Sequence, residues 1–160
     1  MALNYFHSHG IKCTIARIFN TIGANQKSSY GMVVPSFIEQ ALAGKPFTVY
    51  GDGLQSRSFT NVKDTVNSLN LLLDCPNAIG EIVNVGDDRE CSIIELAKLI
   101  RAVTKSQSEI QFISYKEAYG RDFVDVRKRR PNLKKLESLI GHHPRYNLED
   151  TIKEIVYESS

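Results

Sequence analysis

Residues 47–73 read FTVYGDGLQSRSFTNVKDTVNSLNLLL, and the fold class turns on them. Phe47 to Tyr50 is a short strand-forming run closed by Gly51-Asp52-Gly53, a turn signal. Arg57 to Val62 then alternates, which predicts a strand with Arg57, Phe59 and Asn61 on one face. Asn61 stands where a helix cap belongs. After it, Val66, Leu69, Leu72 and Leu73 recur at helical spacing, so a helix is expected to run to about Leu73.

The same alternation of elements extends in both directions. Upstream, Val33 to Ala43 predicts a helix with Val34, Phe37, Ile38, Ala41 and Leu42 as apolar positions. Pro35 falls in its first turn, where a missing N–H costs nothing. Before it, NTIGANQKSSYG (20–31) has no regular pattern and reads as a loop. Ile11 to Phe19, IKCTIARIF, is rich in β-branched residues and reads as a buried strand. Met1 to His9 reads as the end of a helix closed at Gly10.

Downstream, Ile82 to Val85 is a further strand. Ser92 and Glu95 form a capping box ahead of Ile93, Leu96, Ala97, Ile100 and Val103, the best-defined helix in the chain. Ile110 to Ile113 is a strand, and Tyr115 to Pro131 reads as irregular and highly charged. Helices are expected near Leu133–Ile140 and Leu148–Tyr157. Strands alternating with helices predict an α/β fold with a mixed rather than purely parallel sheet.

Composition narrows the function classes. The chain has 160 residues, 42% of them hydrophobic and 24% charged, as in ordinary globular proteins. A net charge of +2 is too small to imply a nucleic-acid or membrane partner by itself. No apolar run approaches the roughly 20 residues needed to span a bilayer, and the first residues lack the pattern of a signal peptide. Cys13, Cys75 and Cys91 are far apart and show no metal-ligand spacing. They read as reduced thiols of a cytoplasmic protein, with no metal site expected.

Four segments in order carry a family resemblance: ARIFNTIG (16–23), YGMVVPSFIEQAL (30–42), TVYGDGLQSRSFTNVKD (48–64) and AYGRDFVDVRKRRPNLKK (118–135). Together they resemble the extended short-chain dehydrogenase/reductase family. Within it they are similar to NAD-dependent nucleotide-sugar enzymes: UDP-glucose 4-epimerases, UDP-glucuronate decarboxylases and dTDP-glucose 4,6-dehydratases. The resemblance implies the C-terminal part of a Rossmann-type protein, with its last sheet strands and a small mixed α/β substrate-binding domain. Residues 1–30 are then expected to be a remnant of the dinucleotide-binding domain, and 31–160 the nucleotide-sugar-binding part.

Two signatures of such enzymes are missing. A dinucleotide fold opens with a Gly-rich strand-to-helix turn, because only glycine lets backbone approach a pyrophosphate at a helix N-terminus. None of the ten glycines opens such a motif; Gly51-Asp52-Gly53 comes nearest, with Ser56 where the last glycine belongs. The family's catalytic Tyr is followed by Lys four positions later, and none of the seven tyrosines here has that partner. By resemblance that pair would lie just upstream of Met1.

A nucleotide diphosphate-sugar calls for Arg at its phosphates, an aromatic or apolar wall at its base and amides at its hydroxyls. The resemblance implies Arg57 and Arg129 as two phosphate clamps. It places Asn132, where the family has Asp, near a ribose hydroxyl. Tyr50 would sit beside the base, and Gln55 would reach the ribose. Val33, Val34 and Phe37 would line the pocket, and they fit an amphipathic helix facing a core equally well. Asn20 would contact the diphosphate and Thr21 the nicotinamide end of NAD.

In a complete enzyme of this kind NAD accepts a hydride from C4 of a UDP- or dTDP-linked sugar, giving a 4-keto intermediate. This chain alone is expected to supply the substrate clamp without turnover. Two other readings remain: a nucleotide-sugar-binding module without catalysis, and an RNA-binding protein using Arg121, Arg127–Arg130 and Lys134–Lys135. The strand at Ile11–Phe19 presents an edge and an apolar face that predict self-association.

Overall fold

In a computed structural model, residues 1–26, 32–120, 125–141 and 143–159 are described. Seven helices and nine short strands alternate among them. Helix α1 (Ala2–His9) ends at Gly10, which takes a left-handed conformation and returns its N–H to the Phe6 carbonyl. Strand β1 (Ile15–Ile18) pairs in parallel with β6 (Ile82–Val85), Ile15 opposite Ile82 and Ile18 opposite Val85. Strand β2 (Thr21–Ile22) pairs with β5 (Thr60–Asn61), and β3 (Phe47–Tyr50) pairs with β8 (Ile110–Ile113), both in parallel. Strand β4 (Ser56–Ser58) sits between antiparallel β7 (Glu90–Ser92) and parallel β9 (Lys128–Arg129). The strands are therefore mixed in direction, as their alternation with helices predicts.

Helices α2 (Val33–Leu42), α4 (Ile93–Thr104) and α7 (Leu148–Ser159) close over β3, and the larger core lies among these elements. Phe37, Phe47, Val49, Leu96, Ile100 and Ile152 are almost wholly removed from water. The rings of Phe37 and Phe47 meet edge to face, 5.5 Å between centroids. The Ser92–Glu95 capping box forms as expected: the Ser92 hydroxyl accepts from the Glu95 N–H and the Glu95 carboxylate accepts from the Ser92 N–H. A smaller core gathers Leu72, Ala78, Val83, Val85 and Leu136 around β6, α3 (Val62–Leu73) and α6 (Lys134–Ile140).

Four expectations are corrected. The strand expected over Ile11–Phe19 is four residues long, Ile11 lies outside it, and Ile11 and Ile18 stand about half exposed; β1 has a hydrogen-bonded neighbour on one side only among the described residues. Arg57, Phe59 and Asn61 do not share one face of a continuous strand. The chain leaves one sheet at Ser58 and enters another at Thr60, so Ser58, Phe59, Thr60 and Asn61 are all buried.

The expected apolar stripe of α3 is split: Leu72 is buried at 4% exposure, but Val66 stands at 50% and Leu73 at 84%. Its polar residues set the rotation instead. The Asn61 side chain accepts from Lys63 N–H and donates to Thr151, and the Asp64 carboxylate accepts from the N–H groups of Arg145 and Tyr146. Burying a polar face is tolerable only when each group is so paired. Finally, the segment 115–131 contains α5 (Tyr115–Tyr119) and β9, and the loop 20–31 contains β2; Lys27 to Gly31 lie outside the described residues.

Candidate functional site

Arg57, at the centre of β4, is the register partner of Arg129 across the parallel β4–β9 pair. Register partners stand roughly 4.8 Å apart and project from the same sheet face. The two side chains therefore leave the sheet on one face. Arg57 carries its own counter-ion, Asp125, whose Oδ1 accepts from Arg57 Nη2 at 2.7 Å. Arg57 Nη1 donates to the carbonyls of Ser56 and Val126.

The basic run does not behave as one solvated face. Arg127 pairs with Asp52 at 2.7 Å and Arg130 with Asp88 at 2.7 Å. The Arg127 guanidinium holds the Asp52 carboxyl below its ordinary range, with the Leu54 N–H adding to the effect. Arg129 makes neither an ion pair nor a side-chain hydrogen bond among the described residues. It lies over the Phe19 ring instead, 5.6 Å from the centroid. Phe19 directly follows β1, so Arg129 is held toward the carboxyl end of that strand, where open α/β sheets bind ligands.

Asn20 reaches the same place. Its side-chain amide donates to the Ser58 carbonyl at 2.9 Å, tying the end of β1 to the crossing between β4 and β5. Thr21 shares a hydroxyl hydrogen bond with Thr65 at 3.0 Å. Gln55 is buried; its amide N–H donates to the Tyr50 carbonyl, and its Oε1 has no partner among the described residues. Tyr50, at the end of β3, is 37% exposed. Asn132 accepts from Lys134 N–H at the start of α6. Val34 and Phe37 are core residues at 1% and 2% exposure, and half-buried Val33 packs against the same core. Arg121 lies outside the described residues.

Three groups at this site have no short-range sequence signal. Phe19 meets Arg129, and Asp125 meets Arg57 from 68 positions away, only through tertiary structure; Tyr115 is linked to Arg57 through Asp125.

The fit to NAD can be tested at the nearest thing to a glycine motif. A Cβ on Gly51 would come within 2.4 Å of the Tyr115 ring, and one on Gly53 within 2.9 Å of Val49. Both residues also hold positive φ, at 69° and 72°. These glycines make room for side chains, so the turn is filled rather than left as a cradle for a pyrophosphate. At this turn the chain offers no glycine cradle for a pyrophosphate.

Two open concavities, about 520 Å³ beside Lys98, Arg101 and Lys105 and about 390 Å³ along Val62, Val66 and Asn70, do not include the arginine pair. No group of three or more His, Cys, Asp or Glu among the described residues could hold a metal ion. No described helix is long and apolar enough to cross a membrane.

Comparison with known proteins gives the arrangement its context. The family model for GDP-mannose 4,6 dehydratase matches residues 1–155. UDP-glucuronic acid decarboxylase 1 of Danio rerio is 38% identical over 156 residues, covering 98% of this chain and 35% of that protein. The UDP-glucose 4-epimerase of Thermotoga maritima, solved with UDP-glucose, superposes with a TM-score of 0.86 at 28% identity, covering 98% of this chain and 48% of that one. The dTDP-glucose 4,6-dehydratase of Bacillus anthracis, solved with NAD, superposes with a TM-score of 0.84 at 25% identity and 47% coverage of its chain. The chain thus spans about half the length of these solved relatives, or less. On the family match, the identity to the decarboxylase and the shared fold, the chain belongs to the extended short-chain dehydrogenase/reductase family of NAD-dependent nucleotide-sugar epimerases and dehydratases.

Proposed function

We propose that this chain is the substrate-binding portion of such an enzyme, gripping the diphosphate of a UDP- or dTDP-linked sugar with Arg57 and Arg129. The observation that carries the reading is their register: Arg57 and Arg129 are partners on adjacent strands, so both side chains leave the sheet on one face. Asn20 and Gln55 supply amides nearby, and Tyr50 offers a partly exposed ring for the base. Asn132 keeps its amide N–H groups for a ribose hydroxyl, and Thr21 lies where the NAD-binding portion would meet this one.

On this reading residues 1–30 belong with the dinucleotide-binding domain and 31–160 form the nucleotide-sugar-binding part, with β6 joined to the former by its pairing with β1. The family's NAD and hydride chemistry come from outside this chain, and alone it shows no turnover. Free Cys13, Cys75 and Cys91 support a cytoplasmic setting. The single-sided pairing of β1 supports self-association through its open edge.

Pairing of Arg127 with Asp52, Arg130 with Asp88 and Lys135 with Glu81 weakens the RNA-binding alternative, because those charges already have partners. Thermal-shift titration with UDP, dTDP and a short RNA separates the readings. UDP or dTDP is expected to stabilise the chain, and Arg57→Ala to weaken that stabilisation sharply. Stabilisation by RNA with none by nucleotide sinks the proposal.

A further inference from the structure

We infer that Asp125 and Tyr115 are positioning residues that hold the Arg57 guanidinium in its phosphate-binding orientation. The inference rests on the proposed role of Arg57 as a clamp. An arginine has five N–H donors in a planar fork, and a phosphate takes two of them. Arg57 spends two Nη1 bonds on the carbonyls of Ser56 and Val126, and one Nη2 bond on Asp125. Those three bonds fix the plane of the group. Two donors are left, the number one bidentate oxyanion uses.

The way Asp125 binds sets it apart from a competing anion. A carboxylate that filled the arginine's binding edge would place both oxygens on it as a fork. Here only Oδ1 meets Arg57, while Oδ2 accepts from the Tyr115 hydroxyl at 2.8 Å. The carboxylate is thus a bridge, anchored at its far end by a phenol. Burial, and then the hydrogen bond to Asp125, push the Tyr115 hydroxyl up to about 12, so it remains a donor at neutral pH.

Tyr115 is itself seated against Gly51, where any side chain would strike its ring at 2.4 Å. The Gly51-Asp52-Gly53 turn, Tyr115, Asp125 and Arg57 thus form one connected support.

Calorimetric titration of the full 160-residue chain with UDP and with uridine tests this. Tyr115→Phe and Asp125→Asn are each expected to weaken UDP binding by about tenfold while leaving uridine unchanged, and Asp125→Glu to recover part of the loss. In an Arg57→Ala background neither change should weaken UDP further, which a merely structural role would not produce.

Tighter UDP binding by Asp125→Asn overturns the inference, because Asp125 would then be a competitor. So does an equal loss in the Arg57→Ala background, or no loss at all. If Asp125→Asn does not fold, Tyr115→Phe, which removes one hydroxyl, decides alone. Should Arg57→Ala itself leave UDP binding unaltered, the clamp reading falls and not merely its support.

Discussion

The two hydrophobic clusters differ in how completely they close. Around β3, the helices α2, α4 and α7 bury Phe37, Phe47, Leu96, Ile100 and Ile152 to 2% exposure or less. Around β1 and β6, closure is one-sided: α1 has no buried residue, Ile18 is 49% exposed and Leu73 84%. One region is a self-contained core; the other carries apolar surface that its own packing leaves in water. Apolar burial is worth roughly 25 cal/mol per Å², so the first region supplies most of the chain's hydrophobic stabilisation. The arginine pair sits where these regions meet, with Arg57 on β4 and Arg129 resting on Phe19 just past β1. Its support is rigid on one side and open on the other.

Truncation tests this contrast most strongly. Phe47→Ala is expected to cost about 3–5 kcal/mol in denaturant unfolding, whereas Leu73→Ala should stay within about 0.5 kcal/mol. Equal costs would erase the contrast. Next in size is the joint between the regions, where Asn61 caps α3 and donates to Thr151 at the start of α7. Asn61→Ala should lower stability by about 1–2 kcal/mol, read as a shift in urea midpoint without loss of fold.

The smallest effect concerns pH. Hydrogen bonds from the Ser92 hydroxyl and N–H hold Glu95 below its ordinary value of 4.5, so its contribution is present above that value and fades as pH falls through the lowered one. The group is exposed, so the effect is small. Glu95→Ala should destabilise the chain at neutral pH, with the difference from wild type shrinking below about pH 4 in thermal melts. A difference that grows in acid would reverse this sign.

Much of the fold was legible from local pattern. The ends of α3 and α4 follow from Asn61 and the Ser92–Glu95 box, because a cap acts within one turn of backbone. The apolar stripe of α4 matched its buried face because a packed helix with good periodicity has one way to turn inward. The same reasoning only half found the buried face of α3, whose rotation is set by hydrogen bonds that join Asp64 and Asn61 to residues 80 or more positions later. No sequence window contains both partners.

The candidate site divides in the same way. Arg57 and Arg129 were picked out by resemblance, residue by residue. That they are register partners on one face, that Arg127 and Arg130 are paired elsewhere, and that Asp125 is hydrogen-bonded to both Arg57 and Tyr115 are tertiary facts. Sequence alone determined the family, the alternation of strands and helices and the helix ends, because each depends on neighbours within a few residues or on motif order. Only the tertiary structure decided which charges are paired with which, because pairing depends on through-space distances of a few ångströms between residues far apart in the chain.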